Sequence, residues 1–493
     1  MSTIKFGTSG WRAMTADVFN AANLQRLTHA LSSHIQDNAE YGFEGADYKR
    51  YIKGRGKGPK QPLVVVGYDT RFMSENFARL VSDTLASHAI VVRQSNAEAP
   101  VPAVACAVVD TGAVGGVTIT ASEGPSHLNG LKWTPFWGGP AIPEITDDIE
   151  LRLPAPSSQL GKAAPRGFGV ASALVDQEDL REGYFSRLGS IIDGKTIKKS
   201  KLRVGTDPLY GSTRTYLRPF MEAQGAETLG IHENRDVLFG GKAPYTGPDS
   251  LGELSRFVVK NKLNIGLACD SDGDRFGIID ETGAWVSPNE ILALVVEHLV
   301  KNRGMKGRVC RNVFTSHFVD AVARTHGLEV RETPVGFKFI GELMRSGLYL
   351  LGGEESGGLS ISGHVPDKDG MLACALMTEM LAFEKKPLSK IRQELHKKFG
   401  EFNTVKTSVS SKDMDLAGLM EELSVKPPLD LAGFSVWRID QTDGFKFILR
   451  DGSWLGLHPS GTEPVVRIYA EATSKPKLDK LVEEGKKILQ GKK

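Results

Sequence analysis

The chain has 493 residues, with 61 Lys and Arg against 59 Asp and Glu, a formal net charge of +2, 40% hydrophobic and 24% charged residues. That length exceeds what one hydrophobic core can serve and predicts several domains, and the ordinary composition excludes a largely disordered chain. The near-neutral charge argues against nucleic acid as the main partner.

In chain order, LVVVG at 63–67, the amphipathic SENFARLVSDTLASH, AIVVRQ, a further apolar stretch and GGVTITAS predict strand, helix, strand, helix, strand. The alternation returns at LRVGTD, ETLGIHEN and NIGLACD, and again at RVCRNVF, LEVRET and LYLLGGEESG. Three similar α/β units with mixed or mainly parallel sheets are expected. Near the end, FSVWRID, FKFILRD, WLGLHPS and VVRIYAEA alternate with short turns before a helix near KLDKLVEEGKKIL, which reads as a smaller α+β domain of antiparallel strands. The domains are placed at 1–176, 177–286, 287–399 and 400–493, with APSSQLGKAAPRG (155–167) as a linker and the basic, glycine-rich YKRYIKGRGKGPKQ (48–61) as a solvated insertion.

The four cysteines, Cys106, Cys269, Cys310 and Cys374, are scattered through apolar segments without a CxxC pair, so buried free thiols are expected. MSTIKFGTSG carries no basic and apolar signal and no apolar run reaches membrane length, so the expectation is a cytoplasmic protein with no membrane partner.

Four loops carry candidate chemistry. In the first, the β-branched VTI at 117–119 ends abruptly in TASEGPSHLNG, a buried strand emptying into a loop that displays Ser122. In the second, ACDSDGDRFGIID, Asp270, Asp272 and Asp274 alternate after an apolar strand, so one turn can aim three carboxylates at one point. Three like charges that close need a cation, and oxygen ligands without His or Cys favour Mg²⁺ over zinc. Glu281 stands at the twelfth position from Asp270, as in an EF-hand, but Arg275 occupies the place of that loop's turn glycine and the flanks read as strands, so calcium binding of that type is discounted. The third loop, GGEESGG, offers Glu354 and Ser356 as acceptor and donor for vicinal hydroxyls. The fourth, HPSGTEPVVR, offers Ser460, Gly461, Thr462 and Arg467 to a phosphate. Each motif taken alone could be an ordinary polar turn.

Together and in this order the loops resemble the α-D-phosphohexomutase superfamily of phosphoglucomutases and phosphomannomutases, over nearly the whole chain. FGTSGWRA, GYDTRFMS, TPVGFKFIGEL and DKDG match further family segments. The resemblance implies four domains around one central cleft, contributing phosphoserine, metal, sugar and phosphate loops. It implies that Ser122 takes the phosphoserine position and joins Asp270, Asp272 and Asp274 around Mg²⁺, and that hexose 1,6-bisphosphate is activator and intermediate. Ser126, followed by His127, competes for the serine role, but only Ser122 keeps the preceding Thr-Ala and the seven-residue step to Asn129. Arg12 would contact the phosphoserine loop, Lys132 matches the lysine of NGxK, Arg275 is a second cation, and Lys338 and Lys368 are charge contacts. Small-molecule sugar phosphates, glucose before mannose, are the implied partners of a monomer or homodimer.

The pattern is broken at three places. Glu123 and Gly124 stand where the family has His and Asn, and His458 where it has Arg. The added charge of Glu123 is expected to weaken phosphoryl transfer unless a cation pairs with it, and Gly124 is expected to loosen the loop. His458 is expected to bind phosphate less well as pH rises. A weak sugar-phosphate sensor, or a bisphosphate synthase or phosphatase, are the rival readings these departures motivate.

Overall fold

A computed structural model of the chain describes residues 4–7, 10–40, 61–155, 173–412, 414–460 and 464–490. The basic insertion and the linker lie almost entirely outside these residues, as do Gly461 and Thr462.

Four sheets follow one another. The first joins β1 (Trp11–Met14), β2 (Leu63–Tyr68), β3 (Val91–Ser95), β4 (Gly115–Ile119), β5 (Leu128–Pro135) and β6 (Val175–Glu178) in the order β1-β5-β4-β2-β3-β6. The second joins β7 (Arg203–Asp207), β8 (Glu227–Gly230), β9 (Ile265–Cys269), β10 (Phe276–Asp280) and β11 (Trp285–Val286) as β11-β10-β9-β7-β8. The third joins β12 (Arg308–Asn312), β13 (Val330–Thr333), β14 (Tyr349–Glu354) and β15 (Gly358–Ile361) as β13-β12-β14-β15. The fourth is antiparallel throughout: β16 (Asn403–Ser410), β17 (Asp430–Leu431), β18 (Phe434–Asp440), β19 (Phe445–Leu449), β20 (Trp454–Pro459) and β21 (Val465–Ala472), ordered β16-β21-β20-β19-β18-β17.

The first three sheets repeat one four-strand core. Its strands stand as β5-β4-β2-β3, β10-β9-β7-β8 and β15-β14-β12-β13. Each time the first strand runs parallel to the second and third, and the fourth returns antiparallel beside the third. The third strands, GGVTI, IGLAC and YLLGGE, are buried along their whole length. That is why they read as unbroken apolar runs. The hairpin that follows each of them leaves from the carboxyl end of a central strand, where open α/β sheets present their ligand sites. These three hairpins are the Ser122, Asp270 and Glu354 loops, and the fourth loop joins β20 to β21.

One continuous apolar cluster runs from Val104 and Val108 through Val204 and Ile265 to Leu292, Leu376 and Leu395, so the first three units share a core. The fourth sheet has its own core around Phe447, Leu455, Ile468 and Leu481. It meets the third unit through a small cluster, in which the rings of Phe314 and Tyr469 stack at 4.5 Å. All four cysteines are buried and free, as expected from the sequence. Among the described residues no helix is long and apolar enough to cross a membrane.

Candidate active site

The serine loop is built by strain and a clamp. Ser122 is 1% exposed with φ of 51°, in the left-handed region that a side chain ordinarily avoids. Its N–H donates to Thr120 Oγ1 at 2.9 Å, and Gly124 N–H donates to Ala121 O at 3.0 Å to close the turn. Arg71, fully buried, then grips the loop backbone: its guanidinium donates to the carbonyls of Ser122, Gly124 (2.7 Å), Pro125 (2.8 Å) and Leu128 (3.1 Å). Asp69 holds Arg71 through Nε at 3.0 Å and accepts from Thr120 Oγ1 at 2.7 Å. Gly124, expected to loosen the loop, is held at both its N–H and its carbonyl. A Cβ there would stand 3.0 Å from Ala121 O, so the turn is tight where glycine sits.

Ser122, not Ser126, meets the acidic loop: Ser122 Oγ donates to Asp270 Oδ2 at 2.7 Å. Carboxylate oxygens of Asp270, Asp272 and Asp274, all buried, lie within 4.8 Å of one another. Gly273, not residue 275, takes the left-handed turn at φ of 72°, and Glu281 accepts from Ser389 instead of reaching back, so the loop is no EF-hand. Lys132, from β5, donates to Asp272 Oδ2 at 2.6 Å and Asp274 Oδ2 at 2.7 Å, and Lys368 lies 3.2 Å from Asp274 Oδ2. Burial raises the pKa of Asp270, with Asp272 and Asp274 adding to it. Burial also acts on Asp274, but Lys132 and Lys368 outweigh it and hold that carboxyl low. Burial opposes the charge of Lys132, yet Asp272 and Asp274 prevail and raise its pKa. Asp272 Oδ1 and Asp274 Oδ1 are buried with no hydrogen-bond partner among the described residues. Oxygen donors with unused lone pairs, in a group of three acids, fit a hard divalent cation.

The charge added by Glu123 is paired, because its carboxylate binds the guanidinium of Arg275. Burial, followed by the charge of Arg12, lowers the pKa of Arg275 to about 10. Arg12 lies on β1, opposite Gly130 of β5, and its charge also opposes those of Lys132 and Arg71.

At the end of β14, Glu354 is 6% exposed and its carboxyl is pushed up to about 7 by burial, against the pull of Lys368. Ser356 Oγ donates to Glu354 Oε2 at 3.3 Å. Lys338 lies in the helix Phe337–Met344, where burial lowers its pKa against the carboxylates of Asp147, Glu144 and Asp443. In the fourth unit His458 pairs with Arg467 across β20 and β21, and its Nε2 lies 3.3 Å from Asp443 Oδ1. Ser460 N–H donates to Val465 O at 2.9 Å. The charges of both Glu354 and Arg467 act on Arg275, which brings all four loops to one region.

Three groups in this site went unassigned in the sequence. Asp69 and Arg71 stand in GYDTRFMS, whose signal is an acid and an arginine two apart at the end of an apolar strand. Glu355, beside the chosen Glu354, accepts from Asn312 Nδ2 at 2.6 Å and Lys406 Nζ at 3.3 Å.

Comparison with known proteins agrees with this architecture. The chain matches the descriptions phosphoglucomutase/phosphomannomutase alpha/beta/alpha domain I over 3–159, domain II over 182–283 and domain III over 287–399, and the C-terminal domain over 405–487. A phosphoglucomutase/phosphomannomutase of Thermococcus kodakarensis is 29% identical, over 88% of this chain and 91% of that protein. A phosphoglucosamine mutase of Parafrankia is 31% identical, over 95% and 94% respectively. A solved structure from Thermus thermophilus, assigned as a phosphomannomutase, superposes with a TM-score of 0.82 at 27% identity, covering 99% of this chain and 100% of that one. The chain belongs to the phosphoglucomutase/phosphomannomutase family, phosphohexomutases that catalyse intramolecular phosphoryl transfer.

Proposed function

We propose that the protein interconverts hexose 1-phosphate and hexose 6-phosphate through phosphorylated Ser122 and a bound 1,6-bisphosphate, with glucose phosphates as first substrate and mannose phosphates next. The observation that carries this reading is the 2.7 Å contact of Ser122 Oγ with Asp270, inside the three-acid group. Asp270, Asp272, Asp274 and an oxygen on Ser122 would hold Mg²⁺, which when bound offsets the negative charge of a transferring phosphoryl group.

The chain's own groups supply the rest. The phosphate already on the sugar rests on His458, Ser460, Gly461, Thr462 and Arg467, while Glu354 and Ser356 hold ring hydroxyls and Lys338 and Lys368 supply charge. The free hydroxyl then faces Ser122. Its oxygen bonds phosphorus as the Ser122 Oγ–P bond breaks, the hydroxyl gives up its proton, and Ser122 Oγ takes up one proton to become a hydroxyl again. Glu354, whose carboxyl sits at about 7, is suited to relay a proton at neutral pH. Lys132 stays charged and steadies the bridging oxygen, with Arg12 and Arg275 beside the phosphoryl group. The bisphosphate turns end over end, and its other phosphate returns to Ser122.

The relative named phosphoglucosamine mutase supports a second substrate, glucosamine phosphate, whose ammonium would find Glu354 and Glu355. The test is turnover with Mg²⁺ and catalytic bisphosphate on glucose, mannose and glucosamine 1-phosphates, while bisphosphate and free phosphate are followed. Highest kcat/KM on glucose 1-phosphate supports the first reading, and on glucosamine 1-phosphate the second. Phosphate release or bisphosphate accumulation without isomerisation would overturn both.

A further inference from the structure

The Glu123–Arg275 pair bridges the first and second units, directly beside Ser122. Each partner keeps capacity that the pair does not use. Glu123 Oε1 and Arg275 Nε are both buried without a hydrogen-bond partner among the described residues. Arg275 Nε lies 3.8 Å from Asp274 Oδ1, beyond bonding range. Spare donors and acceptors at a buried position are costly, and their presence marks a place built for a further group. Arg275 is also anchored where that group would arrive. Its backbone N–H and Ser122 Oγ donate to the two oxygens of one carboxylate, Asp270, at 3.1 and 2.7 Å.

We propose that Glu123 is a positioning residue that holds Arg275 while Ser122 is unphosphorylated, and that a phosphoryl group on Ser122 takes Arg275 over from it. The inference rests on the phosphoserine reading above. In the forward step the Ser122 Oγ–P bond breaks, the sugar oxygen bonds phosphorus, and the hydroxyl proton ends on Ser122 Oγ. Arg275 then loses its anionic partner just when the bisphosphate must turn within the site. Glu123 replaces the lost charge and keeps the guanidinium in place. When Ser122 is phosphorylated, the released carboxylate stands beside a like charge, which raises the free energy of the phosphoenzyme relative to free enzyme and bisphosphate. Glu123 thus favours giving up the phosphoryl group and disfavours reloading.

The test uses the full chain and a Glu123→Gln variant, each incubated with Mg²⁺ and glucose 1,6-bisphosphate mixed with glucose 1-phosphate in graded ratios. Phosphorylation at Ser122 is read by intact mass and peptide mapping. The variant should need about a tenfold lower ratio of bisphosphate to monophosphate for half phosphorylation, the scale of one charge-assisted hydrogen bond. Glu123→Asp, which keeps the charge, should stay within about threefold of the wild-type ratio. Equal ratios in wild type and Glu123→Gln would overturn the inference. So would equal impairment of the Gln and Asp variants, which would show that the side chain only packs the loop. A wild-type protein that takes up no phosphate on Ser122 at any ratio would overturn the phosphoserine reading itself, and the inference with it.

Discussion

At the scale of single residues, the site is governed by which charges burial leaves paired. Arg71 serves backbone carbonyls as well as Asp69, so a point charge cannot replace its planar fork. Arg71→Lys should lose about 3 kcal/mol of stability through unpaired buried carbonyls. Urea unfolding measures this loss, and kcat should fall more than KM rises because the strained Ser122 loses its support. Glu354 gives a pH-dependent effect. Its carboxyl is raised from 4.5 to about 7 by burial, so between those values the folded state binds the proton that the unfolded state has lost. The contribution of Glu354 to stability is therefore present below about pH 4.5 and declines as pH rises towards about 7. Glu354→Gln has no proton to lose and should gain stability relative to wild type between pH 5 and 8, on the order of 2 kcal/mol. Thermal melts across that range measure the difference. A gain that is the same at both ends would contradict the assignment.

At the scale of elements, three copies of one hairpin carry the candidate site residues, and a helix of the third unit braces the acidic loop of the second. Gly370, the first residue of the helix Gly370–Glu384, donates its N–H to Gly273 O at 3.0 Å. A Cβ on it would meet Arg275 O at 2.3 Å and Gly273 O at 3.0 Å. Gly370→Ala must push the acidic loop aside, and Mg²⁺ affinity measured by titration calorimetry should fall by about tenfold or more. These hairpins were legible in the sequence because fully buried strands such as VTI before Ser122 and GLAC before Asp270 are unbroken apolar runs that stop abruptly. The repeated strand order was not legible, since pairing partners lie far apart in the chain and leave no local pattern. Nor was β16: its NTVKTSVS is polar and half exposed along an edge of the fourth sheet, without the apolar signal of its neighbours. Arg71 escaped assignment for a different reason: its neighbour Asp69 was visible, but the carbonyls of the Ser122 loop that its guanidinium holds belong to backbone and leave no mark in the residue types. Glu123 was readable as a misplaced charge but not as a paired one, because Arg275 reaches it from another unit.

At the scale of the whole molecule, the first three units are joined by a shared apolar cluster, beside which the first unit keeps a core of its own, whereas the fourth is tied on by a small apolar cluster and a buried polar knot. In that knot Lys446 Nζ donates to Val313 O at 2.6 Å, and Glu471 Oε1 accepts from His317 N–H at 3.2 Å and Trp454 Nε1 at 2.9 Å. Glu471→Ala would strand the His317 N–H, Trp454 Nε1 and Ser316 Oγ donors and should cost about 3 kcal/mol. Because the knot holds the sheet that carries Arg467, KM for the sugar phosphate should rise while phosphorylation of Ser122 by excess bisphosphate persists. The most direct test of the central claim is peptide mapping of the purified protein after incubation with glucose 1,6-bisphosphate and Mg²⁺, wild type beside Ser122→Ala. The account predicts one phosphoryl group on Ser122 in the wild type and none in the variant, with mutase turnover lost in parallel. Turnover that survives in Ser122→Ala, or a phosphoryl group carried at another residue, would contradict it.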